Sequence, residues 1–185
     1  LRRQRQMCIR DRGCYETAKV TAEDTELVKA CDTINKWVSA QIIYDWNGNK
    51  VVVDGDAIHE WIQADDKDPQ LDEKAIAEFV SEQAKEYDTY GKKRKFTTVQ
   101  GIELNLPSGA YGWKTDREEE TKALIEAIQN GETVDKEPVY ISKGAQKGSN
   151  DIGNSYVEID LTNQHLYLFK DGDIAVSYTH LTLPT

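Results

Sequence analysis

Three cysteines, three histidines and two dense acid clusters are the residues of this chain whose side chains suit covalent or acid–base chemistry. Cys8, Cys14 and Cys31 form neither a CxxC pair nor a metal-ligand spacing, and an odd count excludes a closed disulfide framework. A nucleophilic thiol needs a lowered pKa, supplied by a nearby cation or base. Cys31 falls on the apolar stripe of a helix beside Leu27 and Ile34, where burial makes a thiol inert, so it reads as core. His59 stands between Ile58 and Trp61 with Asp54, Asp56 and Glu60 close in sequence, a set that would suit a metal or an acid–base pair. One histidine among scattered carboxylates is more simply a surface residue, and His165, alternating outward on a strand, reads the same way. The clusters "ADDKD" (64–68) and "REEE" (117–120) would offer the paired carboxylates of a glycoside hydrolase. They flank turns and helix starts, where acids in solvent complement the helix dipole. No catalytic residue, metal ligand or cofactor site is assigned on these grounds.

Binding chemistry rests on aromatic residues. Glycans are gripped by flat aromatic rings with polar neighbours, and Tyr44, Trp46, Tyr111 and Trp113 all lie on or beside expected strands. Strand aromatics more often fill a core. The glycines around Tyr111 and Trp113 allow close backbone approach, which makes these two the candidate substrate-binding residues.

The elements that position these residues follow from periodicity. "TAEDTELVKACDTINKWV" spaces Leu27, Cys31, Ile34, Trp37 and Val38 as a helix behind a Thr21 cap. "QIIYDWNGNKVVVDG" gives two β runs around Asn47-Gly48, the best hairpin signal here, and "DAIHEWIQ" a short helix. "LDEKAIAEFVSEQAKEYDTYG" is a helix with Ile76, Phe79, Val80 and Ala84 on one stripe, closing at Gly91. "KFTTVQGIELNLPSGAYGW" alternates, with Ile102, Leu104 and Leu106 on one face. "DREEETKALIEAIQNG" is a helix capped by Asp116 with Glu119 as capping-box partner and Gly131 as stop. The strand "EPVYIS" closes this unit near residue 142. "KGAQKGSNDIGN" (143–154) reads as a flexible linker, and Tyr156 to Val176 as a strongly alternating hairpin with a third strand. The fold class is therefore α+β, helices packed on antiparallel strands, followed by a linker and the first hairpin of a second, all-β domain. A two- or three-stranded piece of this kind needs a cover for its apolar face.

Composition narrows the partners. With 23 basic and 33 acidic residues the net charge is −10, which argues against nucleic acid. No apolar run reaches the ~20 residues that span a bilayer. Five of the seven arginines lie in "LRRQRQMCIRDR" (1–12). Without that segment 18 basic residues face 32 acidic ones, a net −14. Residues 1–12 and 177–185 resemble translated sequencing adapter and are expected to be non-native.

"SYVEIDLTNQHLYLFKDGDIAV" (155–176) resembles the opening strands of the catalytic domain of L,D-transpeptidases, in the run Leu166-Tyr167-Leu168-Phe169-Lys170-Asp171-Gly172 above all. The preceding unit, residues 13–142, resembles the peptidoglycan-binding domain that often precedes that catalytic domain, chiefly around Tyr111-Gly112-Trp113. The resemblance implies a cell-wall enzyme of the envelope, outside the cytoplasm, with peptidoglycan as partner and no cofactor. Its chemistry would be cysteine acyl transfer: a thiolate attacks a stem-peptide carbonyl and an amine resolves the thioester. The family's Ser-His-Gly-Cys motif has no match in this sequence, since Cys8 in "MCIR" lacks the preceding Ser-His-Gly. The resemblance thus implies a chain truncated before its catalytic motif and inactive alone. The rival expectation is a non-catalytic spacer or protein-interaction module of an envelope protein. Oligomeric state is left open.

Overall fold

The computed structural model describes residues 24–65 and 68–179. The expectations placed on residues 1–12, Cys8, Cys14, Thr21 and 180–185 lie outside those residues. Helix α1 (Thr25–Val38) starts at Asp24, whose carboxylate accepts from the Glu26 and Leu27 amides. It buries Ala30 and Trp37 while Cys31 is exposed, which corrects the reading of that thiol as core. The inward face runs 27, 30, 34, 37, and Cys31 lies one step round the helix from Ala30.

Strand β1 (Gln41–Trp46) turns through Asn47 and Gly48, both at positive φ, into β2 (Asn49–Val53), the geometry a two-residue hairpin demands. Helix α2 (Gly55–Glu60) is capped by Asp54, and a small hairpin, β3 (Ile62–Asp65) with β4 (Asp68–Leu71), leads into α3 (Glu73–Tyr87). That helix ends at Asp88, in extended conformation, and not at Gly91. Asp88 then accepts from the amide and hydroxyl of Thr115, so the helix terminus is tied to the next layer. Strands β5 (Arg94–Thr97) and β6 (Glu103–Leu106) form a second hairpin, and β7 (Lys114–Thr115) leads to α4 (Arg117–Asn130). Asp116 caps α4 by accepting from the Glu119 amide. The Asp116 amide donates to Val139 O, so the reciprocal half of the expected capping box is taken by the carbonyl of a distant loop residue.

After α4, β8 (Thr133–Lys136) returns beside β1 in parallel, giving the three-stranded order β2-β1-β8. Only antiparallel pairing was expected. The parallel contact follows from α4, which supplies the crossover such a pair requires. The buried face of β1, Ile42, Tyr44 and Trp46, meets Val80 and Ile76 of α3, Leu124 and Ile128 of α4, and Trp37 of α1 in one core cluster. Strand β9 (Tyr140–Ser142) pairs with β7 and completes this unit.

The last sheet is a meander, β10 (Tyr156–Asp160), β11 (His165–Lys170) and β12 (Asp173–Thr179), antiparallel throughout. Strand β12 continues through Ser177, Tyr178 and Thr179, pairing them with Tyr167, Leu166 and His165, so the ladder enters the segment expected to be non-native.

Candidate functional site

The residues between the core unit and the meander converge on one carboxylate. On β5 the alternation turns Arg94 inward and Lys95 outward. Asp151, from the stretch read as a linker, is 1% exposed and meets Arg94 side-on, with Nε on Oδ1 at 2.6 Å and Nη2 on Oδ2 at 2.5 Å. Thr89 Oγ1 adds a third donor to Asp151 Oδ2. Burial pushes the Asp151 carboxyl up, but the Arg94 guanidinium and the Thr89 hydroxyl outweigh it and hold its pKa below the ordinary carboxylate range. The remaining Arg94 donors go to the carbonyls of Lys92, Thr89 and Tyr111. An arginine with only 12% of its side chain exposed and this many acceptors fixes its surroundings, because a partner that leaves strands a charge largely withdrawn from water.

Tyr111 and Trp113 belong to this cluster. Tyr111 donates its hydroxyl to Asp151 O and accepts from the Ala145 amide, and the Arg94 guanidinium lies 5.4 Å from its ring centroid. Trp113 donates its indole N–H to Gln146 O and stacks edge-on against Tyr140. Gly112 between them has φ +116°, and a Cβ there would stand 2.4 Å from Arg94 Nη2. The glycine is required by the chain's own arginine. Tyr111 keeps 40% of its surface, while Trp113 keeps 5% and offers no platform to a ligand.

The stretch 143–154, read from the sequence as a flexible linker, makes several polar contacts. The Ala145 amide bonds Asp151 O, the Gly148 amide bonds Asn47 Oδ1, and Lys147 bridges Asp45 and Glu137. Composition suggested mobility because the stretch is small and polar, and its tethers are all polar.

The other candidates separate. Tyr44 and Trp46 are fully buried. Tyr44 donates to Glu120, itself 0% exposed, which also accepts from the Val139 amide and pairs with Lys136 at 3.0 Å. Glu120 was missed by the reading of "REEE" as a solvated run. Its spacing four residues before the buried Leu124 was the available signal. His59 is exposed, and His165 stacks on Tyr167 and bonds Ser177. Among the described residues no group of three or more His, Cys, Asp or Glu side chains is placed to hold a metal, and no helix is long and apolar enough to cross a membrane.

The meander rests on the β5–β6 hairpin by one edge. Phe96 packs edge-on to Tyr156, which stacks on Phe169, and the Val99 amide and Gln100 side chain donate to Glu158 and Asp160. A groove of about 760 Å³ opens between them, lined by Ile102, Leu104 and Leu106 on one side and Val157, Ile159 and Leu161 on the other.

A family model described as "Putative peptidoglycan binding domain" matches residues 19–136. A search of curated proteins gives no match. Two solved structures are similar. One is the Ldtfm–avibactam carbamoyl enzyme, with TM-score 0.63 and 27% identity, matched over 83% of this chain and 60% of that one. The other is a cysteine-to-serine mutant of the Enterococcus faecium L,D-transpeptidase, with TM-score 0.62 and 25% identity over 82% and 60%. The chain therefore spans 60% of the length of the solved structures it matches.

Proposed function

The chain belongs to this peptidoglycan-binding domain family, and from that premise we propose that it is the wall-binding portion of an L,D-transpeptidase together with the first strands of its catalytic sheet. In this reading residues 13–142 bind peptidoglycan, 143–154 form a fixed junction, and 155–176 open the catalytic domain. The parent acts in the cell envelope, outside the cytoplasm, and transfers acyl groups through a cysteine. This chain carries no Ser-His-Gly-Cys motif and has no activity of its own in that reaction.

The observation that carries the reading is the reach of the structural likeness. The family model covers under two thirds of the chain, whereas the match to the transpeptidases covers 83%, so it extends past the accessory unit. The meander's uncovered apolar face, with Val157, Ile159 and Leu161 all more than half exposed, supports a sheet that has further layers in the parent. Co-sedimentation of the purified chain with insoluble peptidoglycan tests the binding role. Most of the protein is expected in the pellet, and its complete recovery in the supernatant overturns that role.

The Arg94–Asp151 clamp favours a second role, a spacer that sets the catalytic domain's orientation. A pure spacer shows no wall affinity, yet its deletion from the full-length parent lowers transpeptidation.

A further inference from the structure

An acidic protein approaching an anionic wall meets repulsion unless the sign of its surface reverses at the contact. Among the described residues the sequence reverses it most strongly in the basic run Lys92-Lys93-Arg94-Lys95. The structure divides the labour within that run. Arg94 is consumed by Asp151, and Lys92 donates to Lys85 O and Glu86 O at the end of α3. Lys93 and Lys95 are left exposed, and neither has an ion-pair partner among the described residues. The carboxylate of β6 on the Lys95 face, Glu103, stands opposite Thr97, whereas Lys95 itself faces Asn105.

These two lysines border a cleft of about 340 Å³ whose other wall is the junction, with Ser149, Asn150 and Ile152, and whose floor is the neutralised Arg94–Asp151 pair. Ser149 and Asn150 are exposed, and their side chains make no hydrogen bond among the described residues. The cleft is thus lined by two lysines, a serine and an asparagine around a pair of no net charge. That donor set suits an oxyanion. Beside it stands the half-exposed ring of Tyr111.

We propose that the cleft between Lys93, Lys95, Ser149 and Asn150 is an oxyanion-binding site through which this unit engages the wall. The inference rests on the wall-binding reading and adds the site and the ligand chemistry to it. Stem-peptide carboxylates and the phosphodiesters of wall-attached polymers both supply oxyanions. Because the site is built partly from the junction, wall contact and the placement of the meander share one set of residues.

The test uses the whole chain and co-sedimentation with two sacculus preparations, one stripped of phosphodiester polymers and one retaining them. Lys93→Gln/Lys95→Gln is expected to weaken binding roughly five- to tenfold, as the loss of two exposed charge contacts implies. Lys29→Gln/Lys36→Gln, which removes equal charge from α1, is expected to bind as the parent chain does. Raising NaCl from about 50 mM to about 300 mM weakens parent binding as the screening length shrinks, and weakens the Lys93/Lys95 variant less. An effect that persists on stripped sacculi assigns carboxylates, and one confined to unstripped sacculi assigns phosphodiesters. If the parent chain sediments and the Lys93/Lys95 variant sediments equally well, the site is refuted while wall binding stands. If the parent chain sediments with neither preparation, the wall-binding reading falls first.

Discussion

Strands β1 and β10 carry the same alternating pattern and meet opposite fates. Ile42, Tyr44 and Trp46 on β1 are 0% exposed, beneath three helices, whereas Val157 and Ile159 on β10 are 52% and 53% exposed. The difference shows that period two states which face of a strand requires burial and says nothing about what buries it. In the core unit the cover is supplied by α1, α3 and α4, of which α1 alone adjoins β1 in sequence. The meander touches its neighbour mainly through the Tyr156, Glu158 and Asp160 face, so its stability rests on hairpin pairing and one hydrophobic edge. Between the two regions, the junction achieves order by polar means.

The contrast is most easily broken at the junction. Asp151→Ala leaves the mostly covered Arg94 without its counter-charge, and a loss of about 3–5 kcal/mol is expected in urea titrations followed by tryptophan fluorescence. A loss below about 1 kcal/mol would mean that the clamp is solvated. Next in size, Ile42→Ala should cost about 2–4 kcal/mol by leaving a cavity under the helices. Ile159→Ala, with its side chain half in solvent, should change the same midpoint by less than about 1 kcal/mol. Equal losses at the two isoleucines would mean that the meander face is covered. Gly112→Ala should cost about 2 kcal/mol, since the added methyl collides with Arg94 at a positive φ. Gly172→Ala has a positive φ but open space around it, and a smaller shift in thermal midpoint is expected there.

The smallest effect at neutral pH is protonic. Because the folded state holds the Asp151 carboxyl below its ordinary value, its contribution is complete above about pH 4 and disappears as pH falls through the lowered value. A tryptophan fluorescence transition below about pH 4, lost in both Asp151→Asn and Trp113→Phe, is expected. A transition centred near pH 6 would point to another group.

Much of the core unit was legible from short-range signals. The Asn47-Gly48 turn, the stripe of α3 and the Asp116 cap each state their structure within a few residues. What escaped was long-range. The β1–β8 pairing joins two strands about ninety residues apart, and "TVDK" is too short and polar to announce itself. Asp151 carries no local sign of burial, because its partners Thr89 and Arg94 are about sixty residues away. Tyr111 and Trp113 were singled out for the glycines beside them, and Gly112 does mark a close approach, but the approaching group is Arg94 of the same chain. Cys31 shows the complementary failure, since helical spacing alone did not settle which side of a narrow stripe it occupied.

The central claim is that residues 143–154 fix the meander onto the core unit and do not tether it loosely. Amide hydrogen exchange resolved to single residues tests this most directly. Ala145 and Gly148, bonded to Asp151 O and Asn47 Oδ1, should exchange orders of magnitude more slowly than an open chain and more slowly than the solvent-facing edge of β12. Exchange at Ala145 and Gly148 at the rate of an unstructured peptide would contradict it.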